Sequence, residues 1–383
     1  MALNDNLKKA KEAKNDEFYT QYVYIQKEVN AYLEYNPDLF KGKTVLLPCD
    51  DPEWSNFTKF FAQNFARFGL KKLISTSYAY DSKNVDFDYQ PTLFETVDPR
   101  FEIKKSKSKG KIFTLTVDEN TDGKINIEDL KWNYLEGDGD FRSEEVIKLR
   151  NEADVIITNP PFSLFREFVS WLIDSNKQFL IIGNQNAITY KEVFPLIKNN
   201  KMWIGATNNG VDMVFAVPDI SLISKKDNER AEKLGYKGNY TRMGNSCWLT
   251  NIEHGRRHQK LELMTFQDNL KFNKTLKRKM AEYKCDSYPK YDNYDAIEVP
   301  IYDCIPSDYD GIMAVPITFL DKYCPEQFEL LGVTQRNDDP YKTKTYSKAD
   351  YKNANDLNAR GVIIIDGVPK AMYARVLIRR IKK

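Results

Sequence analysis

An excess of either charge is what this chain lacks first. Its 57 Lys and Arg stand against 55 Asp and Glu, a net charge of only +2 over 383 residues. A globally basic coat for nucleic acid is excluded, so any polyanion-binding surface has to be local. Cysteine is scarce, and the five present show no close pair and no repeated spacing. That excludes a disulfide scaffold and predicts a reducing, cytoplasmic setting. No stretch approaches the roughly 20 apolar residues of a membrane span, so no membrane partner is expected. The segment Met1 to Asp16 is polar and lysine-rich, without the apolar core of a secretion signal. Glycine is absent between Lys43 and Gly69, so a ligand loop there cannot rely on close backbone approach. Aromatics are plentiful: 23 Tyr and 22 Phe, mostly expected in the core. With 42% hydrophobic and 29% charged residues, the chain is long enough for two globular domains.

The most pointed stretch is Ile156-Ile157-Thr158-Asn159-Pro160-Pro161-Phe162-Ser163. The β-branched run from Val155 to Ile157 reads as a buried strand. Two prolines stop it. Pro160 also keeps Asn159 out of the helical region, fixing it in extended backbone at the strand's carboxyl end. Open α/β sheets bind their ligands at that end. The Asn159 amide oxygen and the Pro160 carbonyl can each accept a hydrogen bond from an amino group. On an aromatic NH₂, whose lone pair is delocalised into the ring, two acceptors favour pyramidal nitrogen and stabilise the charge that develops during attack. Phe162 offers a flat face for a base to stack on. A plain strand-ending turn explains Asn-Pro alone; strand, Asn, two prolines and an aromatic together point to amino-methyl transfer.

Upstream, Asp16-Glu17-Phe18-Tyr19-Thr20 leads into a helix patterned on Val23, Val29, Tyr32 and Leu33, which Thr20 can cap. A strand over Lys43 to Leu47 runs into Pro48-Cys49-Asp50-Asp51-Pro52, then Trp54-Ser55-Asn56-Phe57 and a helix to Phe68. Strand, tight loop and helix make the first unit of a doubly wound sheet. Asp50 or Asp51 can take an ammonium or a ribose hydroxyl, or can cap the helix. Lys72 to Ser77 is a second strand, whose end offers Ser77, Tyr78 or Asp81 without choosing among them. The basic run Lys104 to Lys111 reads as a solvated loop, with phosphate contact as its functional alternative. Ile112 to Val117 and Lys124 to Ile127 flank an Asp122-Gly123 turn, a predicted hairpin outside the main sheet. Gly137-Asp138-Gly139-Asp140-Phe141 follows a strand ending near Leu135. Its glycines allow close approach, and an acid there can accept from an adenine amino group, Asp138 being preferred to Asp140.

Leu164 to Ile173 is an apolar helix, with Phe165 at its start. Further strands are predicted at Gln178 to Gly183, Met202 to Ile204, Met213 to Val217 and Gly244 to Thr250, the last ones antiparallel. His254 and His258, near Cys247, have a spacing compatible with a metal, but they lie among Arg256, Arg257 and Lys260 and read as a solvated basic turn, so no metal is expected. From about residue 256 the composition shifts. Lys271 to Lys284 is basic, and tyrosines interleave with Asp and Pro from Tyr283 to Tyr309. Gly361 to Ile365, Asp366-Gly367 and Ala371 to Ile378 are predicted to form a hairpin.

Asn159-Pro160-Pro161-Phe162 resembles the catalytic tetrapeptide of S-adenosylmethionine-dependent amino-methyltransferases. More narrowly, the whole chain is similar to the EcoRI-type adenine-specific DNA methyltransferases. The glycine-free Cys49-Asp50-Asp51-Pro52 loop, the downstream Ser55-Asn56-Phe57 and the block from Val315 through Tyr323 to Gly332 carry that likeness. The resemblance implies an α/β fold: a doubly wound, Rossmann-like methyltransferase sheet with an antiparallel edge over 1–255, and a smaller C-terminal α+β recognition region over 256–383. It implies catalysis by Asn159, Pro160, Pro161 and Phe162. For S-adenosylmethionine it implies Phe18, Tyr19 and Thr20 at the methionine end, Pro48, Cys49, Asp50, Asp51, Ser55 and Asn56 in the loop, and Asp138 and Phe165 at the adenine. The implied substrate is double-stranded DNA with a flipped-out adenine methylated at N6. The implied protein is a cytoplasmic monomer whose partner in function, not in contact, is a restriction endonuclease. Cytosine N4, RNA adenine and a glutamine amide are rival acceptors, and the basic C-terminal region favours a polynucleotide over glutamine. A non-catalytic DNA-binding protein with a vestigial cofactor fold is the rival of another class. Gln335, Arg336 and Asn337 are of base-reading types.

Overall fold

The computed structural model describes residues 18–51, 55–79, 105, 108–117, 129–207, 213–217, 223–335, 339–349 and 351–382. The polar segment Met1 to Asp16, the strand expected over Lys124 to Ile127 with its Asp122-Gly123 turn, and Asp81, Arg336 and Asn337 lie outside them. Two compact units divide the chain, Met1–Asn184 with Ile204–His254, and Gln185–Trp203 with Gly255–Lys383.

The first unit runs β1 (Tyr19–Thr20), α1 (Tyr22–Tyr35), β2 (Thr44–Leu47), α2 (Asn56–Gln63), β3 (Lys72–Ser77), β4 (Lys111–Leu115), β5 (Lys131–Tyr134), α3 (Glu144–Glu152), β6 (Val155–Thr158), α4 (Phe165–Ser175) and β7 (Gln178–Asn184). After β8 (Trp203–Ile204) come β9 (Met213–Ala216), α5 (Lys225–Lys233), β10 (Tyr240–Met243) and β11 (Ser246–Thr250). Eight strands form one mixed sheet in the order β5-β4-β3-β2-β6-β7-β11-β8. Its centre, β3-β2-β6-β7, is parallel. Every residue of β2 and β6 is buried, which is why both read as unbroken apolar runs rather than alternating ones. Val45, Leu47, Val155, Ile157, Leu180 and Ile182 share one core with Ile25 and Val29 of α1 and Phe57, Phe60 and Phe61 of α2. The intervening Leu46, Ile156 and Ile181 are equally buried and face the other side, by the two-residue period of a strand.

Antiparallel β11 flanks β7. On the opposite edge β4 pairs with β3, and β5 with β4. The segment from Ile112 is therefore part of the main sheet and not an excursion from it. Its pairing with β3 satisfies a row of backbone groups that would otherwise form an open edge. Met213–Ala216 also departs from expectation, since β9 pairs with β1 and β10 in a separate three-stranded sheet. That pairing pins Tyr19 and Thr20 by their backbone. Thr20 does not cap α1, whose N-cap is Gln21 with no side-chain cap bond.

Strand order reverses between β2 and β6. The chain leaves β2 for β3 on one side and returns to β6 on the other. Loops diverge at such a switch point and leave a crevice beyond the carboxyl ends of the strands.

The second unit holds α6 (Phe266–Phe272), α7 (Lys274–Tyr283), β12 (Ala296–Glu298), β13 (Ile312–Pro316), β14 (Phe328–Val333), β15 (Val362–Ile365), β16 (Val368–Ala371) and β17 (Arg375–Arg380). Its sheet runs β12-β13-β17-β14. Tyrosine serves as core here, with Tyr283, Tyr291 and Tyr294 packed among Leu331, Ile363 and Leu377. Within that core Arg375 donates to the buried Glu298 carboxylate at 2.6 Å, and the Tyr291 hydroxyl donates to it too. The charge is thus buried with its partners in place.

Three expectations change in this unit. The hairpin partner of Val362–Ile365 is Val368–Ala371, across Asp366 (φ 51°) and Gly367 (φ 74°), a two-residue turn of the kind that matches strand twist. β17 is instead a central strand of the four-stranded sheet. Residues 185–203, expected with the first domain, group with the second unit: Lys198 Nζ donates to the Leu331 carbonyl at 2.8 Å, and Arg257 donates to Asn200 at 2.6 Å while stacking 3.9 Å over Trp203. His254 and Arg257 are buried rather than solvated. Among the described residues, no helix is long and apolar enough to cross a membrane.

Candidate active site

A cavity of about 310 Å³ opens beyond the ends of β2, β3 and β6, a size within the range of small-molecule sites. Five segments wall it: Phe18 to Thr20, Pro48 to Asp51 with Ser55, Ser77 with Tyr78, Gly139 to Arg142, and Asn159 with Pro161, Ser163 and Leu164. Segments far apart in sequence converge because three parallel strands end side by side.

Asn159 follows the last residue of β6. Its Nδ2 donates to the Phe18 carbonyl, which settles the orientation of the amide, since only the nitrogen can donate. Oδ1 therefore points away from Phe18. It is buried and, among the described residues, has no hydrogen-bond partner. Thr20 Oγ1, on a residue in the same cavity wall, is a second buried polar atom without a partner among the described residues. A buried acceptor left unpaired costs about 1–3 kcal/mol, so two at one cavity mark where a ligand's polar hydrogens belong.

Asp50 lines the cavity too, and both oxygens of its carboxylate are taken up by hydroxyls. One carboxylate oxygen accepts from Ser55 Oγ at 2.6 Å and the other from Thr158 Oγ1 at 2.6 Å. Its backbone carbonyl accepts from Thr58 at 3.0 Å and also from Ser75. Burial pushes its carboxyl up to about 7, against the pull of the Ser55 and Thr158 hydrogen bonds. Ser55 in turn caps α2, accepting from Phe57 N at 3.1 Å. Asp50 thus ties the β2 loop and the cap of α2 to Thr158, the residue before Asn159. The loop manages without glycine because side-chain hydroxyls, rather than close backbone approach, organise it.

The acidic turn differs from expectation in which acid reaches the cavity. Asp140 lines it and Asp138 does not. Asp138 Oδ1 accepts from Asp140 N at 3.1 Å, and its carbonyl accepts from Ala79 N at 2.7 Å, so it folds back into the turn. Asp140 is held by Arg142, at 2.6 Å to Nη2 and 2.9 Å to Nε. Arg142, which the sequence did not single out, also bonds Glu167 at 2.7 Å. Gly139 sits at φ +83°, and a Cβ there would lie 2.3 Å from the Ser77 carbonyl. That contact brings the turn against the end of β3. Of the motif's two glycines only Gly139 makes this approach, since a Cβ on Gly137 would meet nothing within 4 Å.

The other expected residues are placed as follows. Phe18, Tyr19, Thr20, Pro48, Cys49, Asp51, Ser55 and Pro161 line the cavity. Asn56 stands behind it, its Nδ2 donating to the Thr20 carbonyl at 2.8 Å. Pro160 is buried and is not among the residues that line the cavity. Phe162 is partly buried, with its ring 5.6 Å from Phe18 and 6.5 Å from Phe215. Phe165 is not at the cavity. It is buried, and its ring lies against Gly183 of β7, where a Cβ would stand 2.9 Å from it. Ser77 and Tyr78 both reach the cavity from the end of β3, so the choice between them stays open.

Comparison with known proteins bears on nearly all of the chain. It is 42% identical over 331 residues to the type II methyltransferase M.EcoRI of Escherichia coli, covering 86% of this chain and 89% of that one. It is 33% identical over 377 residues to the type II methyltransferase M.MpnI of Mycoplasma pneumoniae, covering 97% of each. A further type II methyltransferase, M.MgeORF184P of Mycoplasma genitalium, is 32% identical over 376 residues. No solved structure gives a significant match. The family model described as adenine-specific methyltransferase EcoRI matches residues 6–381, and the chain belongs to that family.

Proposed function

We propose that this protein transfers a methyl group from S-adenosylmethionine to N6 of an adenine flipped out of double-stranded DNA, with the Asn159 amide as the group that prepares the nitrogen. The observation that carries this reading is the buried, unpartnered Oδ1 of Asn159 at the cavity. The first unit serves as a Rossmann-like methyltransferase domain, on the support of its parallel centre, antiparallel edge and switch-point cavity. The second unit serves as the region that engages the DNA target. The names of its type II relatives support a companion endonuclease of the same specificity.

The cavity fits the cofactor on chemistry. Thr20 Oγ1 needs a partner, the Phe18 to Thr20 strand supplies wall, and Cys49 to Asp51 and Ser77 to Tyr78 supply polar groups around it. When bound, S-adenosylmethionine supplies a methyl group carried on a positively charged sulfur. Asn159 Oδ1 accepts one hydrogen bond from the adenine amino group, and the Pro160 carbonyl accepts the other. Those two bonds draw the nitrogen lone pair out of ring conjugation and stabilise the charge that grows on nitrogen. The proline carbonyl has no N–H of its own residue to move, so its position is rigid. Phe162, propped by Phe18 and Phe215, presents its remaining face to the base. The surplus proton leaves to water after transfer, so no strong base is required. Asp50 holds Thr158, and so the start of this segment, in place.

Incubation with tritiated S-adenosylmethionine and plasmid DNA, followed by digestion to nucleosides, tests the reading. Label in N6-methyl-deoxyadenosine supports it. Label in N4-methyl-deoxycytidine, or none in DNA, contradicts it.

A further inference from the structure

The charges of α7 run against its own dipole. Negative groups are favoured near a helix N-terminus and positive groups near its C-terminus. Two other helices of the molecule follow this rule. Helix α3 has Glu144 and Glu145 in its first turn and Arg150 in its last, and α6 has Asp268 first and Lys271 last. Helix α7 opens on Lys274 with no acid in its first turn, and Lys277 and Arg278 follow. Leu276 and Tyr283 are buried on its inner side. Lys277 and Arg278, three and four residues on from Lys274, fall with it on the outer side, and all three are exposed.

None of those three cations forms an ion pair among the described residues. Neighbouring cations do: Lys279 pairs with Glu282 at 2.7 Å, and Lys284 pairs with Asp366. Glu282 and Asp366 are thus already engaged at its flank. Just before the helix, Lys271 is exposed over Phe272, whose own ring is 58% exposed. The junction is rigid. Asn273 Oδ1 accepts from Thr275 N and Leu276 N, both at 3.1 Å, while its Nδ2 donates to the Asp303 carbonyl at 3.1 Å. Three unpaired cations on about 6 Å of rigid helix, in a protein of net charge +2, form a local concentration of charge that costs stability unless something anionic covers it.

We propose that the outer face of α7, formed by Lys274, Lys277 and Arg278, with Lys271 and the Phe272 ring beside its start, lies along the sugar-phosphate backbone of the DNA duplex. Its complement is a polyanion carrying one charge per roughly 1.7 Å of axis. The contact positions the duplex and reads no base. It rests on the reading that the second unit engages the DNA.

The test uses the full-length protein and a duplex fragment that the wild type methylates. Lys274→Gln, Lys277→Gln and Arg278→Gln are combined in one variant, and Lys225→Gln, Lys226→Gln and Lys233→Gln on α5 in another of equal charge loss. Binding is measured across a salt series, with thermal unfolding alongside. The α7 variant is expected to lose about 2.7 from the slope of log affinity against log salt, about 0.9 per phosphate contact. Its melting temperature is expected to be unchanged or slightly higher, and the α5 variant to keep the wild-type slope. Equal losses in both variants would reduce the effect to net charge and overturn the proposal. An unchanged slope in the α7 variant overturns it too, and photo-crosslinking of wild type to DNA then separates two cases. Crosslinks elsewhere in 255–383 leave the reading of the second unit standing, whereas crosslinks confined to the first unit remove both.

Discussion

Replacing Asp50 with Asn removes a titratable group from the centre of the first unit while keeping its shape. Both oxygens of the carboxylate accept hydroxyl hydrogen bonds, from Ser55 and Thr158. An Asn side chain can accept one of them and donate to the other hydroxyl oxygen, so the knot survives. The carboxyl is raised from 3.8 to about 7, first by burial, with the hydrogen bonds working against it and the Asp51 charge adding to it. A carboxyl with a folded pKa above its unfolded one holds its proton more tightly when folded. Its contribution to stability is therefore full below about pH 4 and is lost as pH rises through about 7. The whole shift corresponds to about 4 kcal/mol at roughly 1.4 kcal/mol per pH unit, and the part between pH 5.5 and 7 to about 2 kcal/mol. Asn does not titrate. The unfolding free energy of Asp50→Asn relative to wild type should rise by about 2 kcal/mol from pH 5.5 to 8, or roughly 4–8 °C in relative Tm. Glu28, also pushed up to about 7 by burial, titrates in both proteins and cancels from the difference. Urea unfolding of the two proteins at both pH values is the assay. A difference that stays constant within about 0.5 kcal/mol would refute the assignment of Asp50 as a buried, proton-holding hub.

Three further outcomes are expected. Asp50→Ala leaves two buried hydroxyls without an acceptor, at about 1–3 kcal/mol each, and lowers kcat more than it raises the KM for S-adenosylmethionine; a change in KM alone would place Asp50 in direct contact with the cofactor. Thr20→Val removes an unpaired buried hydroxyl, so the free protein should be no less stable, while cofactor Kd rises about tenfold, the worth of one hydrogen bond; unchanged affinity by titration calorimetry contradicts this. Gly139→Ala forces a Cβ toward the Ser77 carbonyl at φ +83°, costing about 1–3 kcal/mol in strain alone and weakening cofactor binding with it; wild-type Tm and affinity would show that the turn does not wall the site.

Much of the site was legible because its signals are local. A β-branched run stopped by two prolines needs no tertiary information, and β6 with Asn159 at its end stands as read. Buried parallel strands announce themselves as unbroken apolar runs, as at Val45 to Leu47. What the sequence hid depends on long-range partners. Nothing near Ile112 says that its pairing partner is β3, and nothing near Val362 separates Val368–Ala371 from the later strand β17. Phe165 has the right spacing to cover a ligand, but only the fold reveals that Gly183 opposite leaves room for its ring. Between Asp138 and Asp140 the decision falls to the positive φ of Gly139, which turns one carboxylate into the loop and the other toward the cavity.

The central claim is that the Asn159 amide oxygen, buried and unpartnered at the cavity, prepares the target amine. Asn159→Ala removes that oxygen together with the Nδ2 bond to the Phe18 carbonyl, while the pairing of Tyr19 and Thr20 with β9 holds the cofactor wall. Single-turnover transfer of tritiated methyl to DNA, measured beside calorimetric cofactor affinity, tests it most directly. The expected result is a loss of about 10²–10³ in rate, the usual cost of one group aimed at developing charge, with affinity within a few-fold of wild type. A rate within tenfold of wild type, or a fall in affinity large enough to account for the loss, would contradict it.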